Sequence, residues 1–147
     1  TQAGVSNYMS YRGIENLYGN KYKWVDGANI SNRNWHISDN YKNYIDDVFT
    51  GDYVSYAVAP SSDGNIRDVH MLEGDKDFAF IPSEIGGSNN VDGFCDTYYQ
   101  NTGNRVLTFG YSSGGADAGA FCWNTRNSAS YRNSLFGARL QFFENIE

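Results

Sequence analysis

The sequence predicts one α+β domain of short antiparallel strands, one or two helices and long irregular loops. Three observations lead there. The chain has 147 residues, 40% of them apolar, enough for one core of ordinary size. Its alternating apolar stretches are short and are separated by Gly, Asn, Asp and Ser turn signals. No internal repeat, linker or low-complexity run divides residues 1–147. The chain begins at Thr1 rather than at Met, which suits a mature fragment or the C-terminal domain of a longer protein.

The elements are expected in this order. Residues 11–18 place Ile14 and Leu17 on one face of a short helix, with Gly19-Asn20 as its C-cap. Residues 21–25 alternate, with Tyr22 and Trp24 on one side, and read as a half-buried strand that the turn signal Asp26-Gly27 ends. Residues 34–37 and 53–59 are further strands, and 60–64 a loop. Residues 77–82 form a strand that Pro82 should stop. Residues 86–90 are a loop, 91–99 are weakly extended, and Gly103-Asn104 is a turn. Residues 105–109 are the clearest strand of the second half. Residues 112–120 are too rich in Gly and Ala for a regular strand. Pairing resumes at 121–123, and 138–142 close the domain.

Composition narrows the function classes. The net charge of −6 argues against non-specific binding to nucleic acid or to an anionic membrane. No apolar run is long enough for a membrane-spanning helix or a signal peptide. Twelve Tyr beside sixteen Gly suggest many turns and an amphipathic, Tyr-rich surface of the kind that suits recognition. Most of the tyrosines are nevertheless expected half-buried on strands. Cys95 and Cys122 fit no zinc spacing; one disulfide and two buried thiols both stay open.

The stretch from Gly110 to Phe142 is the most informative. Gly, Ala and Ser form a spaced frame, and between them sit exposed-type residues of every chemistry. Tyr111, Ser112, Ser113, Asp117, Trp123, Arg126, Tyr131, Arg132 and Leu135 are the candidate ligand-binding residues. Tyr and Arg are the usual anchors of interfaces, and Ser and Gly leave room and adaptable hydrogen bonds. Gly110, Gly115, Ala118, Gly119, Ala120, Gly137 and Arg139 are read as the frame, and Trp24 and Trp35 as core residues.

Three segments together resemble a known family. Tyr11-Arg12-Gly13-Ile14-Glu15-Asn16-Leu17-Tyr18-Gly19-Asn20 runs on to Lys23-Trp24-Val25-Asp26-Gly27. Phe80-Ile81-Pro82 and Gly86-Gly87-Ser88 are followed by Cys95-Asp96-Thr97-Tyr98-Tyr99 and Arg105-Val106-Leu107. The chain then closes on Gly137-Ala138-Arg139-Leu140. These are similar to signatures of the formylglycine-generating-enzyme-like branch of the C-type lectin fold. Within it, the C-terminal pattern looks most like the variable proteins of diversity-generating retroelements. The resemblance implies a C-type lectin fold and a rigid scaffold displaying a hypervariable surface at about residues 111–136. Its Asn codons would be rewritten by adenine-directed mutagenesis. Such codons cannot become Trp, Lys, Glu, Gln or Met, and between Tyr111 and Ala138 only Trp123 belongs to that set. Trp123, if fixed, is then a constant anchor.

The resemblance implies a protein or glycan receptor on a cell surface as partner, with the domain at a phage tail or on a bacterial surface. A homo-oligomer is compatible, a trimer if it is a tail protein. The alternatives are a structural tail-fibre domain and a glycan-binding module of fixed specificity. True formylglycine-generating enzymes use a C-terminal thiol pair, one thiol lying just after the closing strand. Here Leu140 follows Arg139 and both cysteines lie elsewhere, so no catalytic role is expected. Arg139 is expected to pair with a carboxylate such as Glu15 or Asp26. His36 and His70 have no nucleophile motif beside them. Asp46, Asp47, Asp52, Asp63 and the pair Asp75 and Asp77 offer oxygens that calcium accepts, but without EF-hand spacing. No metal or other cofactor is expected to be required.

Overall fold

A computed structural model describes residues 10–11, 14–15, 18, 21–44, 49–74, 77, 79–86, 96–110 and 119–138. Eleven strands and one short 3-10 turn, Tyr41–Asn43, make up the regular structure among them. The α+β expectation is therefore overturned: the described residues are nearly all β and carry no α-helix. In place of the helix expected at 11–18 stand β1 (Ser10–Tyr11) and β2 (Ile14–Glu15), paired antiparallel. Tyr and Ile favour extended backbone, and Gly13 within the stretch opposes a helix.

The remaining strands are β3 (Tyr22–Ser31), β4 (Asn34–Ile37), β5 (Val54–Val58), β6 (Gly64–Met71), β7 (Phe80–Ile85), β8 (Thr97–Gln100), β9 (Asn104–Phe109), β10 (Trp123–Thr125) and β11 (Phe136–Gly137). They form one sheet in the order β5-β4-β3-β9-β10-β8-β6-β7, with β11 also on β3. The sheet is mixed rather than antiparallel throughout, since β10 runs parallel to β8 and β11 parallel to β3. It curls until its two ends nearly meet. Trp35 of β4 and Phe80 of β7 both pack on Trp123, with ring centroids 5.8 and 4.8 Å away. Ile30, Ile66, Ile81 and Tyr98 complete a fully buried interior. An apolar cavity of about 500 Å³ remains between Ile37, Phe80, Leu107 and Trp123.

Two sequence signals act differently from expectation. Asp26-Gly27 does not end β3. It forms a bulge inside the strand, where Val25 pairs with Leu107 and Asn29 already with Val106. Gly27 has φ +82°, and a Cβ there would lie 2.6 Å from the Ser38 carbonyl oxygen and 2.9 Å from the Tyr44 ring. Replacing Gly27 by Ala is expected to destabilise the fold by about 2 kcal/mol or more. Thermal unfolding should show a midpoint roughly 5 °C or more lower. Pro82 does not stop its strand either. It pairs with Val69 within β7, an edge strand, next to register shifts in β6, where a missing N–H is tolerated. The turn between β3 and β4 is made by Asn32 and Arg33, both at positive φ (48° and 71°), as a two-residue type I′ hairpin requires.

Candidate functional site

Residues 119–138 contain only the short strands β10 and β11, yet their backbone is pinned at close intervals. At the start, the Asp96 carboxylate accepts the Phe121 N–H at 2.7 Å. Burial pushes the Asp96 carboxyl above its usual range, and the Phe121 bond opposes that. Gly119 lies against this carboxylate so closely that any side chain would overlap it, which accounts for glycine in that position of the frame. β10 is then inserted between β8 and β9. Thr108 Oγ1 donates to the Asn124 carbonyl at 3.1 Å. Tyr98 Oη meets Thr125 Oγ1 at 3.2 Å, and Thr125 in turn donates to the Tyr99 carbonyl.

Beyond β10 the fastening continues. Asn124 Oδ1 accepts the Arg126 N–H, and the Val106 N–H reaches the Asn127 carbonyl. The Tyr131 N–H closes a turn on Ser128, and Asn133 Oδ1 accepts the Leu135 N–H at 2.9 Å. The Tyr22 N–H donates to the Leu135 carbonyl at 3.0 Å, and β11 follows immediately against β3. Short polar side chains hold these turns by capturing nearby backbone groups.

The candidate binding residues fall into three groups. Arg126, Tyr131, Arg132 and Leu135 are exposed; Leu135 is 47% accessible although it is aliphatic. Arg126 pairs with Asp63 and lies 4.7 Å over the Tyr99 ring, while Tyr131 sets its ring edge against Phe136. Trp123 is buried among Trp35, Phe80 and Phe121, so it belongs to the core and not to an outer surface. Tyr111, Ser112, Ser113 and Asp117 lie outside the described residues. So do Gly115, Ala118, Arg139, Cys95 and the Gly19-Asn20 cap. Cys122 is fully buried.

A cleft of about 260 Å³ opens where this segment meets the β3 bulge. Arg132 and Ala129 form one side. Trp24, Asp26 and Asn29 of β3, with Tyr44 and Tyr53, are among the residues that line the rest. The Gly27 backbone holds this wall: its carbonyl accepts the Ser38 N–H at 2.9 Å, and its backbone also hydrogen-bonds the Tyr53 hydroxyl. Burial first, then the nearby Tyr44 and Asp26, keep the Tyr53 phenol above its ordinary range and hence neutral. The sequence singled out only Arg132 here. Trp24 is half-buried on the outer face of β3 rather than in the core, whereas Trp35 is a core residue at 1% exposure.

His36, Asp52 and Asp63 are engaged within the fold. His36 sits edge-on to Phe49 at 4.7 Å, and burial holds its imidazole below the ordinary value of 6.5. The unfolded chain therefore takes up a proton that the folded chain resists. Stability from this group is present above pH 6.5 and is lost as pH falls through the lower folded value. The melting temperature of the parent should therefore fall relative to that of a His36→Phe variant between pH 7.5 and 5.5. Asp52 accepts from Asn40 and Asn43, and Asp63 is taken by Arg126 and the Gln100 N–H. No group of three His, Cys, Asp or Glu placed to hold a metal occurs among the described residues. Nor is any helix among them long and apolar enough to cross a membrane. No family model, no curated protein and no solved structure matches the chain.

Proposed function

We propose that this chain is a non-catalytic binding domain whose C-terminal segment is its recognition surface. The observation that carries the reading is the division of labour in residues 119–138. Their backbone is tied to β3, β8 and β9, while Arg126, Tyr131, Arg132 and Leu135 point outward. The bonds that fix the segment use backbone groups and the side chains of Asp96, Thr108, Asn124, Thr125 and Asn133, with the Arg132 guanidinium on the Ala129 and Tyr131 carbonyls; among the described residues the Tyr131 and Leu135 side chains bond no backbone group. Exposed aromatic and Arg side chains on a fixed frame are the anchors of protein interfaces, preorganised so that little ordering entropy is lost on binding.

The reading extends to diversification. Side chains that do not support the frame are free to change, as a retroelement-diversified variable protein requires. The partner would be a protein or glycan receptor on a cell surface, met from a phage tail or a bacterial surface. Sequencing the DNA that flanks the gene tests this part. A near-copy of the region encoding residues 110–142, differing only at adenines and lying beside a reverse-transcriptase gene, is the expected result. Complete flanking sequence without such a copy would remove diversification and leave a domain of fixed specificity.

A further inference from the structure

The geometry points to a neutral sugar ring, the terminal residue of a surface glycan, as the ligand of the cleft between the β3 bulge and Arg132. The inference rests on the binding reading above and adds the chemical class of the ligand. Its basis is the composition of the cleft. Trp24, Tyr44 and Tyr53 supply aromatic surface, and Asp26 and Arg132 supply polar groups. A pyranose needs both. Its C–H face packs on an aromatic ring, while its hydroxyls, which both donate and accept, are met by an acceptor-only carboxylate and a donor-only guanidinium.

Charge and size argue against other occupants. Among the described residues one acid, Asp26, and one base, Arg132, face the cleft, which favours a ligand without net charge. An anion would meet Asp26, and the chain as a whole carries −6. A wholly apolar ligand would strip water from Asp26 and Arg132 without replacing their hydrogen bonds. A volume of about 260 Å³ suits one ring rather than an extended peptide.

The walls are preorganised. Asn29 is 97% buried at the base of the cleft (3% accessible), and Tyr53 is held against the Gly27 backbone. Tyr44 Oη donates to the Ser38 carbonyl at 3.2 Å. Arg132 fastens only its Nη1, to the Ala129 and Tyr131 carbonyls at 3.0 and 3.2 Å. Its Nη2 and Nε make no bond among the described residues and are available to a hydroxyl.

The test is a titration of the 147-residue chain with a panel of neutral methyl hexosides and short oligosaccharides, read by ligand-observed NMR and by tryptophan fluorescence. At least one sugar should bind saturably. Asp26→Asn and Arg132→Ala should each weaken it about ten-fold or more with melting temperature unchanged, and Arg126→Ala, outside the cleft, should leave it unaltered. Saturable binding that ignores Asp26→Asn and Arg132→Ala would overturn the proposal. So would the absence of any sugar binding in a chain that captures a protein receptor through Tyr131 and Leu135, an outcome that leaves the broader reading standing. Failure to bind sugar, protein or cells of any kind would overturn both.

Discussion

Replacing Trp123 by Ala is expected to destabilise the domain by about 3–5 kcal/mol, the largest effect of any single side-chain truncation in this segment. Trp123 sits in the middle of the curl. It touches Trp35 from β4, Phe80 from β7 and Phe121 from its own approach, with centroids 5.8, 4.8 and 6.4 Å away. Its ring therefore joins β4, next to one end of the sheet, to β7 at the other, two strands with no hydrogen-bonded pairing to each other among the described residues. Removing the indole would also enlarge the apolar pocket of about 500 Å³ that Trp123 lines. Thermal unfolding should show a midpoint on the order of 10 °C lower. A midpoint within a degree or two of the parent would mean that the ends of the sheet are held by something else.

Replacing Tyr131 and Arg132 together by Ala should have the opposite profile. Both side chains are exposed, and what they lose inside the domain is small: the Tyr131 edge contact with Phe136, the bond that Asn133 Nδ2 donates to the Tyr131 hydroxyl, and the Arg132 bonds to two carbonyls. The melting temperature should move by no more than about 3 °C, since surface changes away from the core usually cost little. Binding should fall roughly 100- to 1,000-fold, because each anchor contributes on the order of 2 kcal/mol. Surface plasmon resonance against receptor-bearing vesicles, with differential scanning fluorimetry on the same samples, separates the two effects. A large fall in melting temperature would place these residues in the fold rather than at its surface.

The two profiles also show what the sequence discloses. Asn34–Ile37 alternates cleanly, and its strand has those same bounds; residues 105–109 likewise fall within β9. Strict alternation survives where pairing is regular. β6 gave no such signal because two register shifts, after Ile66 and after Asp68, break the period of two and scatter Ile66, Val69 and Met71. β7 was expected to end at Pro82, but an edge strand has no partner waiting for that N–H. The helix expected at 11–18 rested on two apolar residues, a pattern that a pair of two-residue strands meets equally well.

At the candidate site, the exposure of Tyr131, Arg132 and Leu135 follows from turn-forming neighbours that a reader of the sequence sees: Ser128, Ser130 and Asn133. The cleft does not follow. Its walls come from residues 24–27, 29, 44, 53, 106, 129 and 132, far apart in sequence, with the bulge at Asp26-Gly27 among them. A DG pair reads as a turn in either setting, and Gly27 is there because the Ser38 carbonyl and the Tyr44 ring leave no room for a side chain.

The central claim is that the outward residues of 119–138 choose the partner while the frame stands without them. The measurement that tests it most directly is the distribution of melting temperatures in a library randomised at Arg126, Tyr131, Arg132 and Leu135. The account predicts that most members melt within a few degrees of the parent, with the largest losses at Arg126, whose exposed pairing with Asp63 is worth about 1 kcal/mol at most. A library in which most members fail to fold would contradict it and make these four side chains part of the scaffold.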